Sequence, residues 1–184
     1  TNDVASVTSA TAQLALFNAT WGTPIEIAVG SGAVVSIAGS NYGADGLSST
    51  VAPAYALSVS TTGVDSGLLA TDGHHIYLFD ESGVIVGRES VNTTPDGSGT
   101  VAFAIAIESS TGTLTVAQYE GLYHSNPHDP NESTAPLTIS ASAIQASGTI
   151  TDGDGDKSVA STGIGGMVAF RDGKPFSIGA FPIR

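Results

Sequence analysis

The chain has 184 residues, of which 41% are hydrophobic and 12% are charged, and its 17 acidic and 5 basic side chains give a net charge of −12. Nucleic acid and anionic lipid are poor partners for so acidic a chain, because both require clustered cations. The absence of cysteine excludes disulfides, zinc–thiolate sites and thiol catalysis. If the protein is extracellular, bound calcium is the natural substitute for disulfides in bracing the fold. No apolar run is long enough to span a membrane.

Short runs of Val, Ile, Thr and aromatic residues, bounded by Gly, Ser, Asn and Asp, are typical of β-strands. Helical periodicity is nearly absent, apart from one short turn that residues 116–123 could form. The pattern predicts an all-β fold, an antiparallel β-sandwich-like domain, rather than a parallel sheet. In chain order, we predict strands at residues 12–17, 25–29, 34–38, 55–60, 75–80, 84–89, 101–107, 114–118, 137–146, 157–161 and 167–171.

Residues 101–107 alternate large apolar side chains with alanines. This alternation predicts a half-buried strand whose small-residue face lies close to a neighbour. Hairpin turns are expected at residues 80–83 and 109–112. We expect a single domain over residues 1–184, with residues 1–40 as a looser N-terminal extension of it, unless they end a preceding domain.

Three carboxylates, those of Asp152, Asp154 and Asp156, stand at alternate positions separated only by glycines. They repel one another in water, whereas Ca²⁺ takes about six to eight oxygen ligands and glycines let a tight loop aim carboxylates inward. An EF-hand loop would need Gly and Glu where Lys157 and Gly163 stand, and helices where strands are predicted. We therefore predict a strand–loop–strand calcium site that takes further ligands from elsewhere. The alternative is a solvated acidic turn.

Residues 121–136 form the longest irregular stretch, and loops of this length are usually functional. We predict that this loop contacts calcium or a ligand, against the alternative of a polar surface loop. Its histidines favour a softer metal such as zinc, although no helical zinc motif is present. The candidate metal ligands here are Asn126, Asp129 and Glu132, and the candidate ligand-contacting residues are Tyr123, His124, His128 and Asn131.

The remaining candidate metal-ligating segments are interpreted first as turns. Asp45 could serve a metal or a plain turn, whereas residues 72–75 and 95–99 are expected to be turns. Asp65 is expected to cap a turn through bonds from its side chain to the backbone. The chain has no nucleophile elbow, no P-loop and no dinucleotide fingerprint, so we expect no enzyme.

Eight segments resemble, in the same order, a domain repeated in giant RTX-type adhesins that are exported by type I secretion. The resemblance covers roughly residues 40–172, and the order of the segments makes it more specific than any single motif. Lys157 departs from the family pattern, which has Thr after the acidic run. The segments are residues 42–46, 55–59, 63–67, 76–79, 86–88, 101–105, 115–119 and 151–156.

The resemblance implies a calcium-stabilised, β-sandwich-like fold outside the cell, on a bacterial surface. Some similar domains capture the free C-terminus of a peptide through a bound calcium, and others only extend the adhesin. We therefore expect a monomeric module within a longer chain that uses calcium to bind a peptide or protein terminus on another cell surface, with Tyr123 packing beside it. The alternatives are a structural extender and a calcium-dependent carbohydrate-binding module.

Overall fold

The computed structural model describes residues 7–37, 46–125, 136–171 and 174–178. Within this part, no helix is long and apolar enough to cross a membrane. The described elements are one α-helix, α1 (Val7–Trp21), and the strands β1 (Glu26–Ala33), β2 (Ala54–Val59), β3 (Val64–Leu69), β4 (His75–Glu81), β5 (Val84–Ser90), β6 (Val101–Ile107), β7 (Thr113–Gln118), β8 (Leu137–Thr138), β9 (Ile144–Thr151), β10 (Lys157–Gly163), β11 (Val168–Arg171) and β12 (Lys174–Ile178), with a short 3₁₀ turn (Gly165–Met167) before β11.

The strands form antiparallel sheets, which confirms the predicted all-β, sandwich-like fold class. A six-stranded sheet has the order β1-β7-β6-β5-β4-β3, and two three-stranded sheets have the orders β10-β9-β2 and β12-β11-β8. Apolar side chains from all three sheets form one continuous core, in which the rings of Phe103 and Phe170 lie 5.3 Å apart. Its central members include Leu57, Ile76, Leu78, Ile85, Phe103, Ile105, Leu114, Val116, Ile144 and Phe170.

Both predicted hairpins are confirmed. Ser82 and Gly83 have φ values of 58° and 86°, the left-handed conformation at both central positions that a two-residue hairpin turn requires. This turn fixes the β4–β5 register, in which Ile76 lies opposite Glu89. In the second hairpin, the N–H of Glu108 donates to the carbonyl of Thr113 over 2.8 Å.

The strand predicted at residues 12–17 is wrong, because this stretch lies inside α1. Residues 12–17 contain no β-branched side chain and are rich in Ala and Leu, which have high helix propensity. Gly22 ends the helix at φ 87°, and its N–H donates to the carbonyl of Asn18. The apolar run is too short for its pattern to distinguish a helix from a strand.

Other boundaries also differ from the prediction. Residues 34–37 follow β1 without forming a strand, and residues 116–123 form the end of β7 and an extended segment instead of a helical turn. The strand predicted at 137–146 is split into β8 and β9, because a turn closes where the N–H of Ala143 donates to the carbonyl of Ser140. Neither β3 nor β12 was predicted.

Strand β6 is buried on both faces, so the predicted half-burial is wrong, whereas the predicted close neighbour is confirmed. That neighbour is α1, whose Phe17 lies in one apolar cluster with Ala104, Ala106 and Ala117 on the outer face of the six-stranded sheet. Alanines leave room for the helix to approach the sheet. The large side chains of β6 point to the opposite, inner face.

Candidate metal centres

The three aspartates of the predicted calcium site lie together at the β9–β10 turn. One carboxylate oxygen from each of Asp152, Asp154 and Asp156 lies within 4.8 Å of the others, and we call this set the acidic turn. Carboxylate oxygens at this separation can share one divalent cation. The flanking strands β9 and β10 pair antiparallel up to Thr151 and Lys157, so the predicted strand–loop–strand context is confirmed.

Asp152 also organises the backbone of the acidic turn. Its Oδ1 accepts the N–H groups of Gly155 over 3.0 Å and of Asp156 over 2.8 Å. A side-chain hydrogen bond from Asp154 and these backbone donors lower the pKa of Asp152, whereas the bond with Asp152 raises the pKa of Asp154. Two of the carboxylates therefore compete for one proton, as like charges held close together do.

The acidic turn is fastened to the segment that precedes β2. The N–H of Gly153 donates to the carbonyl of Gly46 over 3.0 Å, and the N–H of Ser48 donates to the carbonyl of Thr151 over 2.9 Å. Leu47 forms an isolated bridge with Asp152. A cation bound here would therefore brace two distant parts of the chain.

Only part of the predicted ligand-binding loop can be placed. Tyr123 is 48% exposed, and its N–H donates to the carbonyl of Leu69 over 2.8 Å, which fixes the start of the loop beside the end of β3. His124 follows it and is half-buried. The other predicted residues of this loop and the small candidate before β2 lie outside the described residues: Asp45, Asn126, His128, Asp129, Asn131 and Glu132.

A second set of potential metal ligands lies in segments for which the sequence predicted only a turn and a strand. It consists of Asp72, His74 and Glu89, whose ligand atoms also lie within 4.8 Å of one another, and we call it the His74 cluster. His74 Nδ1 lies 2.8 Å from Asp72 Oδ2 and 4.0 Å from Glu89 Oε2. The 72–75 turn itself is confirmed, because the N–H of Gly73 donates to the carbonyl of Ala70.

The strand register explains how this cluster assembles. Glu89 lies opposite Ile76, a core residue of the inner face, and so points to that face. His74 stands two residues before Ile76 and therefore lies on the same face. The His74 cluster thus caps the inner-face core at the edge where β4 begins and β5 ends.

The environment of Glu89 is unusual for a carboxylate. Its side chain is only 12% exposed. Burial, a hydrogen bond with the Glu120 carboxyl, and the charges of Glu120 and Asp72 raise the pKa of Glu89 to about 8. Glu120 follows β7 and is not a member of the cluster, but its carboxyl group lies beside that of Glu89. A carboxyl group whose pKa is shifted this far, at the edge of the core, is a candidate functional residue.

The hairpin turn at residues 80–83 is the feature of the sequence from which this cluster could have been predicted. A two-residue turn sets the pairing of β4 with β5, and that pairing brings the 72–75 turn to the end of β5. Ile85, Gly87 and Glu89 share one face by alternation, which leaves a charged side chain in an apolar row. The contribution of Glu120 could not be read in this way, because it depends on the path of the chain beyond β7.

The two candidate centres lie at opposite ends of the sandwich. Tyr55 at the start of β2 donates its N–H to the carbonyl of Ser109 in the β6–β7 turn, and the acidic turn extends past that same end, because Ala54 pairs with Thr149. The β3–β4 turn, which carries the His74 cluster, lies at the other end of the six-stranded sheet. Seven-residue strands such as β5 separate the two ends by about 20 Å.

Two predicted turns serve the backbone and are confirmed in that role. Asp65 Oδ1 accepts the N–H of Gly67 over 2.8 Å, as expected for a capping carboxylate. Asp96 Oδ1 accepts both the N–H and the hydroxyl of Ser98, and these bonds lower the pKa of Asp96. Neither aspartate belongs to a potential metal cluster among the described residues.

Comparison with known proteins gives a family but no activity. No curated protein and no solved structure matches the chain. One family model, described as a domain of unknown function, DUF5801, matches residues 2–165, which contain α1, both candidate centres and the strands that carry them. That description names no adhesin, so the resemblance to RTX adhesins stays a prediction. The match covers well over half of the chain, which therefore belongs to the DUF5801 family.

Proposed function

We propose that this domain is a calcium-dependent ligand-binding module of a bacterial surface adhesin, and that it recognises the C-terminus of a peptide or protein. The observation that carries the calcium part of this proposal is the acidic turn, where three carboxylates converge and no Lys or Arg of the described residues forms an ion pair with them. The resemblance to RTX adhesins supports the extracellular setting, in which free calcium is abundant.

We assign the acidic turn a structural role and propose the ligand site at the opposite end. Asp152 fixes its own loop and binds the segment around Leu47, which is a bracing role. Tyr123 is one of seven large hydrophobic side chains that are exposed among the described residues, and it precedes a stretch of sequence rich in Asn, Asp and His. An exposed aromatic beside potential oxygen ligands suits a peptide terminus, because the ring packs a side chain while a bound cation attracts the carboxylate.

Titration with short peptides tests the proposal. A peptide with a free C-terminus is expected to bind in calcium and to lose binding in chelator, and its amidated form is expected to bind far more weakly. Tyr123→Ala should weaken binding, whereas Val159→Ala, which alters an exposed side chain on β10, should leave binding unchanged. Equal affinity for free and amidated peptides would rule out capture of the carboxylate.

A structural extender is the second candidate function, and the bonds between the acidic turn and the segment before β2 favour it. In that case calcium stiffens the domain and no ligand binds. A peptide array and a glycan array, each run with and without chelator, separate the two functions. Calcium-dependent stabilisation without binding to either array favours the extender.

A further inference from the structure

We propose that the His74 cluster is a second metal site, which binds a divalent transition metal of the zinc class through Asp72, His74 and Glu89. This site is separate from the acidic turn, and the inference does not depend on the ligand-binding function proposed above. It rests on the positions of the donor atoms, their chemical types and the unbalanced charge around them.

The donor atoms are close to the arrangement that zinc requires. Zinc binds imidazole nitrogen and carboxylate oxygen at about 2.0–2.2 Å in tetrahedral sites, which places neighbouring ligand atoms about 3.4 Å apart. His74 Nδ1 lies 2.8 Å from an oxygen of Asp72 and 4.0 Å from an oxygen of Glu89, on either side of that value. The two distances from His74 therefore lie within about 0.6 Å of the tetrahedral spacing, and all three donor atoms lie within 4.8 Å of one another.

The donor types distinguish this site from the acidic turn. The acidic turn offers only carboxylate oxygens, which suit a hard cation such as calcium. The His74 cluster adds an imidazole nitrogen, a ligand that suits zinc, nickel, copper and iron. One chain thus presents an oxygen-only set at one end and a mixed nitrogen–oxygen set at the other.

The negative charge around the His74 cluster favours a bound cation. Glu89 is nearly buried and lies near the carboxyl groups of Glu120 and Asp72. Among the described residues, no Lys or Arg forms an ion pair with any of these three, since Arg88 is engaged with Glu81 over 2.6 Å on the outer face. A divalent cation bound here would balance these negative charges.

The neighbouring histidine provides a matched control. His75 Nδ1 lies 2.9 Å from Asp65 Oδ2, and its ring stacks near Tyr77. Alternation along β4 places His75 on the outer face, away from Glu89. The chain therefore carries two adjacent His–Asp pairs, and among the described residues only the His74–Asp72 pair has a second carboxylate, that of Glu89, within reach.

Calorimetric titration of the intact chain with Zn²⁺ in saturating calcium tests the site. One zinc is expected to bind the wild type. His74→Ala should weaken binding by at least about tenfold, the size of effect seen when even a supporting group of a metal site is lost. His75→Ala should leave the affinity unchanged, and so should Asp154→Asn, which alters the acidic turn. Glu89→Gln keeps the shape of the side chain and should weaken zinc binding as His74→Ala does.

Three results would overturn the proposal. One is the absence of zinc binding by the wild type, and another is full affinity in both His74→Ala and Glu89→Gln. The third is loss of zinc in a His124→Ala, His128→Ala double variant together with full affinity in His74→Ala, which would place the metal in the loop after Tyr123. Circular dichroism of each variant before titration shows that it retains the fold.

Discussion

The acidic turn and the His74 cluster are both groups of carboxylates at a sheet end, but they are assembled differently. The acidic turn takes its side chains from five consecutive residues, and its aspartates are largely exposed to solvent. The His74 cluster takes its side chains from a turn and a strand end, with Glu120 close by, and Glu89 lies against the core. One short motif is enough to specify a local cluster, whereas a non-local cluster forms only when the strands pair in the right register.

The difference also has an energetic side. Carboxylates of the acidic turn stay hydrated, so their mutual repulsion is screened by water. The carboxyl of Glu89 is held where water is scarce, so charging it opposes folding. When no metal is bound, removing the carboxylate of Glu89 should therefore stabilise the protein at high pH, whereas removing that of Asp154 or Asp156 should have little effect.

The largest expected effect is that of calcium on the acidic turn. Calcium at about 100 times its Kd should raise the thermal unfolding midpoint by roughly 5–10 °C for a chain of this size. Asp154→Asn should sharply reduce this gain, because it replaces a charged carboxylate ligand with a neutral amide, and should leave the calcium-free midpoint nearly unchanged. Differential scanning calorimetry in calcium and in chelator measures both. A full calcium response in Asp154→Asn would place the stabilising ion elsewhere.

The next effect concerns Glu89 in chelator. Because the pKa of Glu89 is raised from 4.5 to about 8, the folded state keeps a proton that the unfolded state releases, and the free energy of unfolding falls as pH rises from about 4.5 to about 8. Glu89→Gln carries no such charge. At pH 8 it should be more stable than the wild type by on the order of 1–2 kcal/mol, after allowance for partial contact with solvent.

Urea unfolding at pH 4.5 and at pH 8 checks this prediction. The gain should be confined to the higher pH, since the wild-type carboxyl is protonated in the folded state at the lower one. Glu108→Gln, in the β6–β7 turn at the other end of the sheet, is the matched control and should show little change at either pH. A destabilised Glu89→Gln at pH 8 would mean that the charged carboxylate is well stabilised, in contradiction to its surroundings.

The same contrast between local and non-local features explains which elements and sites could be predicted from the sequence. The acidic turn was found because Asp152, Asp154 and Asp156 form one motif, and most strands were found because their apolar runs are bounded by turn residues. Helix α1 was missed, since residues 12–17 are too short an apolar run to separate a helix from a strand. The helix is defined by its packing on the alanines of β6 and β7, a tertiary contact that local propensity does not contain.

The His74 cluster shows the corresponding limit for a site. Asp72 and His74 lie in a stretch that is correctly predicted as a turn, and Glu89 ends a correctly predicted strand. Their meeting depends on the pairing of His75 with Ser90 and of Ile76 with Glu89. Elements alone do not place side chains together; register and the choice of buried face do.

A smaller effect is expected at Asp152 in the absence of calcium. Its carboxylate accepts two backbone N–H groups, so Asp152→Ala should lower the unfolding midpoint in chelator, whereas Asp156→Ala should not, because it leaves both acceptor bonds in place. The lowered pKa of Asp152 makes this contribution present above the ordinary aspartate pKa and lost as pH falls through the folded-state value. Thermal melts of both variants at pH 7 and pH 3 measure it. Equal melting of the two variants at pH 7 would show that the turn does not depend on Asp152.

The smallest expected effect is that of His75→Ala. His75 and Asp65 are 46% and 43% exposed, and exposed ion pairs contribute little to stability, so the free energy of unfolding should change by less than about 0.5 kcal/mol. Asp65 keeps its bond from the N–H of Gly67 in the variant, so the turn survives. Urea unfolding of His75→Ala beside His74→Ala, each with and without zinc, compares the two faces of one turn. A zinc-dependent gain in stability that vanishes in His74→Ala and persists in His75→Ala would assign the metal to the inner face, and the reverse pattern would assign it to the outer one.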